Sequence, residues 1–75
     1  MYYVYVIKNN KKGMIYIGYT DNLKRRLKEH KDKIPELMYY EAYRNELDAR
    51  EREGKLKQRG QAVRHLKKRI KRSLE

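Results

Sequence analysis

Apolar, β-branched and aromatic residues run almost unbroken over 2–8 (YYVYVIK) and 14–19 (MIYIGY), which predicts two strands. Between them Asn9-Asn10-Lys11-Lys12-Gly13 is polar and supplies a glycine for a positive φ, so an antiparallel hairpin is expected. Alternation puts Tyr3, Tyr5 and Ile7 on one face of the first strand and Tyr2, Val4 and Val6 on the other. On the second, Met14, Tyr16 and Gly18 share a face, opposite Ile15, Ile17 and Tyr19. Val4, Val6, Ile15 and Ile17 then read as core. A third strand is expected over 36–43 (ELMYYEAY) after Pro35, with Leu37, Tyr39 and Tyr43 on one face and Met38, Tyr40 and Ala42 on the other.

Three stretches switch to helical periodicity. The first runs from about Asp21 to Asp32, capped by Asp21 or Thr20, with Leu23 and Leu27 on one stripe. Asn45 caps a second helix reaching about Arg59, and Gly60 breaks it. A third, Gln61 to about Ser73, packs through Ala62, Val63, Leu66 and Ile70. The expectation is an α/β chain of the α+β kind: one domain over 1–75, its three-stranded antiparallel sheet flanked by three helices.

Composition narrows what such a fold could do. At 75 residues the core is small, and the absence of cysteine removes disulfides and thiolate metal sites. The formal net charge of +11 calls for a polyanionic partner, nucleic acid before an anionic membrane surface. No apolar run approaches membrane-spanning length and no signal-peptide pattern follows Met1, so a cytoplasmic protein is expected. The third helix carries Arg64, Lys67, Lys68, Lys71 and Arg72 opposite its apolar face. That stripe suits a phosphate backbone or an ordinary solvated face; lipid fits less well, because the apolar face is narrow and lacks Trp and Phe.

The stretch Tyr16 to His30 (YIGYTDNLKRRLKEH) concentrates the candidate chemistry. At 100° per residue, His30 falls near the centre of the Leu23/Leu27 face and Arg26 on its edge. A helix that only packed would place aliphatics there, so an imidazole and a guanidinium suggest an anion site beside the sheet. Gly18 within a strand marks a close approach, which places the site on the Tyr5/Tyr16/Gly18 face. In the second helix Ala49, Glu53 and Leu56 share a stripe. Glu53 is therefore the inward glutamate, while Glu51 lies on the far side.

These residues carry a resemblance. Tyr3-Val4-Tyr5, Tyr16-Ile17-Gly18, Asn22-Leu23 with Arg26 and His30, and Ala49 to Lys57 (AREREGKLK) resemble, in order, the motifs of the GIY-YIG nuclease superfamily. The similarity is greatest to its small stand-alone members, akin to the nuclease domain of the excision-repair incision subunit, which would connect the chain to DNA repair. The third block places the family's metal-binding glutamate on Glu53. One departure is clear: related small members carry a longer basic loop before the third strand, where this chain has only Lys31 to Glu36.

The resemblance implies a metal-dependent endonuclease hydrolysing phosphodiester bonds in DNA, with Tyr5, Tyr16, Arg26, His30 and Glu53 as its catalytic set. Gly18, Tyr19, Lys24, Arg25 and Lys57 are expected to contact the nucleic acid. Glu53 is a hard oxygen ligand suited to one Mg²⁺ or Mn²⁺ ion, and Arg26 to clamping a phosphate oxygen. A tyrosine base needs nearby positive charge, because free tyrosine ionises near pH ~10. The resemblance implies a motif tyrosine in that role, Tyr16 favoured with Tyr5 as its hydrogen-bonding partner. His30 is the chemical alternative. A homodimer or partner protein could add substrate grip, and a non-catalytic nucleic-acid-binding module on the same scaffold is the other reading.

Overall fold

Strand β1 (Tyr2–Asn9) is the centre of a three-stranded antiparallel sheet of order β2-β1-β3, with β2 at Met14–Thr20 and β3 at Pro35–Tyr43. The computed structural model describes residues 1–31, 34–58 and 60–75. The central position explains why Val4, Tyr5, Val6 and Ile7 are all buried while β2, at an edge, is exposed over its first half. Asn9 organises the hairpin turn: its Oδ1 accepts from the Lys11 and Lys12 amides at 2.9 and 3.2 Å. Gly13 closes the turn at φ +70° and donates its amide to the Asn9 carbonyl.

Helix α1 (Leu23–Glu29) lies on the Tyr3/Tyr5/Ile7 side of the sheet, and α2 (Glu46–Lys57) and α3 (Gln61–Arg69) on the Val4/Val6 side. The cap of α1 is Asn22, whose side chain accepts from the Arg25 amide at 3.0 Å. Thr20 and Asp21, the expected caps, do other work. Thr20 Oγ1 accepts from the Asn22 amide, and Asp21 pairs with Arg25. The helix ends at Glu29 with His30 as its C-cap; the expected end at Asp32 lies outside the described residues, as does Arg59 after α2. Asn45 caps α2 as expected, accepting from the Leu47 amide at 2.8 Å.

The core joins Val4 and Val6 to Ala49 and Leu56 of α2, Leu66 of α3 and Ile70. Beyond Ile70 a short fourth helix, α4 (Lys71–Leu74), follows, so four helical segments are described where three were expected. Leu66, Ile70 and Leu74 are spaced by four, and each such step drifts about 40° around an unbroken helix. The break at Ile70 (φ −109°, ψ 25°) keeps Leu74 packed against the same core.

The faces of β3 also depart from simple alternation. The β1–β3 register shifts between Val6 and Ile7, pairing Val6 with Tyr39 but Ile7 with Leu37. A bulge of this kind resets the alternation of its strand. Leu37 therefore shares the Ile7 side rather than that of Tyr39 and Tyr43, and Met38 packs into the core rather than beside Tyr40. Ile15, expected in the core, is 38% exposed, because α2 and α3 leave a cleft beside the start of β2.

Candidate active site

The pairing register builds the site. Tyr5 lies opposite Gly18 and Ile7 opposite Tyr16, so these four residues form one patch on the α1 side of the sheet. Arg26 reaches down from α1 and donates from Nε to the Tyr5 hydroxyl at 2.8 Å and from Nη1 to Glu29 Oε2 at 2.9 Å. The Tyr5 hydroxyl, and after it Glu29, hold the guanidinium even further above its ordinary value. Tyr5 is buried, whereas Tyr16 is 37% exposed.

The close approach expected at Gly18 is made by Tyr5 itself. A Cβ at Gly18 would run into the Tyr5 hydroxyl and ring. Glycine at this position therefore lets the Tyr5 ring lie flat across β2 and bring its hydroxyl to Arg26.

His30, half-buried at the end of α1, lines a small void with Ile7, Asn9, Tyr16 and Pro35. Tyr16 also lines a cleft of about 730 Å³ on the other side of β2, with Leu56 and Lys57 of α2 and Val63, Arg64 and Lys67 of α3. It thus stands at the open edge of the sheet, reached from both sides.

Glu53 belongs to α2, on the opposite side of the sheet from the Tyr5/Arg26 patch. Its helix runs antiparallel to β2: Glu46 bonds to Tyr19 near one end, and Lys57 lines the cleft with Ile15 and Tyr16 near the other. Glu53 lies between them, alongside the middle of β2. Its side chain is 23% exposed, and Oε2 is 3.4 Å from Lys57 Nζ. The inward glutamate expected from the stripe is thus half-buried and also carries a long ion pair within its own helix. Glu51 is exposed, as expected.

The expected nucleic-acid contacts are dispersed. Lys24 and Arg25 are exposed on α1, Arg25 paired with Asp21 at 2.5 Å. Tyr19 faces α2: it stacks on Tyr2 (6.4 Å between ring centroids), donates to Glu46 at 2.7 Å and carries the Arg50 guanidinium over its ring. The Glu46 carboxylate raises the Tyr19 hydroxyl above its ordinary value.

Sequence reasoning missed a cluster on the α2 side. Glu41 of β3 accepts from Arg52 Nε at 2.9 Å, from Tyr39 at 2.6 Å and from Tyr43. Burial pushes the Glu41 carboxyl up, but Arg52 and the two hydroxyls outweigh it and hold it below the usual range. Burial and the same carboxylate push Tyr43 up to about 12. A signal was present. Arg52 lies three residues after Ala49 and four before Leu56, on the flank of the buried stripe, and Glu41 alternates with Tyr39 and Tyr43.

Among the described residues no group of three or more His, Cys, Asp and Glu comes together to hold a metal. No described helix is long and apolar enough to cross a membrane. No curated protein and no solved structure matches the chain. The family profile described as the GIY-YIG catalytic domain matches residues 1–36, from β1 into the start of β3, and so takes in Tyr5, Tyr16, Gly18, Arg26 and His30 but not Glu53 or Lys57. The antiparallel sheet with its helices is consistent with that fold, and the match implies nuclease-type phosphodiester hydrolysis of a nucleic acid.

Proposed function

We propose that the whole chain, residues 1–75, is one such domain and a metal-dependent DNA endonuclease, with Tyr5, Tyr16, Arg26, His30 and Glu53 serving one scissile phosphate. The observation that carries this is the β1–β2 register, which gathers Tyr5, Ile7, Tyr16 and Gly18 beneath α1, with Arg26 hydrogen-bonded into the patch.

Tyr16 is assigned as general base. Its exposure lets water and a phosphate approach, and its hydroxyl donates a long bond of 3.9 Å to the Met14 sulfur, whereas Tyr5 is buried against Arg26. Arg26 is the phosphate clamp. Its pair with Glu29 is half-exposed and within one helix, of the kind worth under about 1 kcal/mol, so an incoming phosphate displaces it readily. Tyr5 holds the guanidinium in place during that exchange. His30, beside Tyr16, orients the water or relays its proton.

Glu53 would hold one Mg²⁺ or Mn²⁺. A half-buried carboxylate 3.4 Å from the Lys57 ammonium, with Arg50 also within electrostatic reach, suits a cation that keeps most of its own waters. When bound, the ion supplies positive charge to the phosphate and the departing oxygen.

Supercoiled-plasmid nicking by wild type, Tyr16→Phe and His30→Ala tests the assignment. Loss of the Tyr16 hydroxyl is expected to slow nicking by about 100-fold or more, and loss of His30 by less. Cleavage that survives Tyr16→Phe overturns the base assignment. Plasmid binding with no cutting by wild type supports a non-catalytic binding module instead.

A further inference from the structure

The cleft between the open edge of β2 and the α2–α3 corner shares Tyr16 with the proposed site, but its α3 wall has no role above. Along one wall stand Ile15 and Tyr16, both more than a third exposed, with Val63 across from them. Lys57, Arg64 and Lys67 supply the cationic groups, and all three are exposed. The cleft thus sets a short apolar strip beside a row of cations. A duplex keeps its base faces stacked inside and offers the strip only backbone and groove edges. A single strand has bases to lay on it and phosphates to set against the cations.

We infer that this cleft binds a single-stranded DNA segment, which it delivers to Tyr16. The inference rests on the nuclease reading for the identity of the scissile phosphate, and extends it by naming the substrate form. Tyr16 belongs to the cleft and to the patch under α1, so a strand lying in the cleft ends at the proposed catalytic edge. The helix α3 then provides grip that the short segment before β3 cannot.

Binding is measured by fluorescence anisotropy in chelator, so that no cutting occurs, with a labelled 20-nucleotide thymidine strand and a 20-bp duplex. The variants are Arg64→Gln/Lys67→Gln and, as a control removing equal charge elsewhere, Lys11→Gln/Lys12→Gln at the hairpin turn, where both lysines are exposed. Wild type is expected to prefer the single strand. The cleft variant should weaken it by about tenfold at low salt and reduce the log–log salt slope by about 1.4, roughly 0.7 for each phosphate no longer neutralised. The control should move the affinity by less than about threefold. Circular dichroism checks that both variants fold. Equal weakening in the two variants, or a wild-type preference for duplex, overturns the inference. Because the assay needs no metal and no turnover, a wild type that binds in this way but never nicks sinks the nuclease reading and leaves the cleft assignment standing.

Discussion

Arg26 and Tyr5 are joined across two elements by a 2.8 Å hydrogen bond from Nε to the phenol oxygen, although they lie 21 positions apart in sequence. The bond ties α1, which has no fully buried residue, to the most buried strand of the sheet. It also fixes where the proposed phosphate clamp stands. Tyr5→Phe keeps the ring and removes only this link. Because Arg26 is 39% exposed and can turn to water, the expected loss is modest, about 1 kcal/mol by urea denaturation. Nicking should fall further than stability suggests, by roughly 10- to 100-fold, since the clamp loses its orientation.

Gly18 is the complementary test of the same arrangement. A methyl group there must displace the Tyr5 ring, so Gly18→Ala is expected to cost about 1–3 kcal/mol. The displaced ring no longer offers its hydroxyl to Arg26. Tyr5→Phe added to Gly18→Ala should therefore cost less than it does alone, and a double-mutant cycle reads that coupling directly.

The Glu41 cluster predicts losses at both ends of the pH range. Its carboxyl is held low in the folded state, so the stability it contributes is present above the ordinary glutamate range near ~4.3 and disappears as pH falls through the lowered value. Tyr43 is raised to about 12, so its contribution is present at neutral pH and disappears as pH climbs from the ordinary tyrosine value near ~10 toward that figure. Glu41→Gln leaves Arg52 partly buried without its counter-charge and should cost about 2 kcal/mol at pH 7, while flattening the acid limb. Tyr43→Phe should flatten the alkaline limb. Urea midpoints across pH, compared with wild type, measure both.

Two runs of β-forming residues around a polar, glycine-bearing turn made the hairpin legible in the sequence; the central place of β1 emerged only from its pairing with β3. The Asn45 cap was legible too, a local event decided by one residue, whereas α2 ends at Lys57 and Gly60 serves as the N-cap of α3. What escaped was set by tertiary packing. The bulge beside Met38 depends on how β3 meets β1, and no pattern within β3 announces it. The break at Ile70 answers to the curvature of the core rather than to any helix-breaking residue. At the site, the stripe of α1 singled out Arg26 and His30 correctly as residues facing the sheet. Its partner was harder to foresee: the hydroxyl that Arg26 meets is that of Tyr5, because Gly18 makes room for that ring.

Glu53, arriving from one side of β2, is proposed to serve the same phosphate as Tyr16 at its edge, and the enzyme reading stands or falls on that pairing. Supercoiled-plasmid nicking by wild type and Glu53→Gln with Mg²⁺, Mn²⁺ or chelator, alongside plasmid binding, addresses it without intermediate assumptions. Wild type is predicted to nick only with metal, and Glu53→Gln to bind within about threefold of wild type yet nick at least about 100-fold more slowly. Nicking by Glu53→Gln at the wild-type rate, or wild-type nicking that persists in chelator, would contradict it.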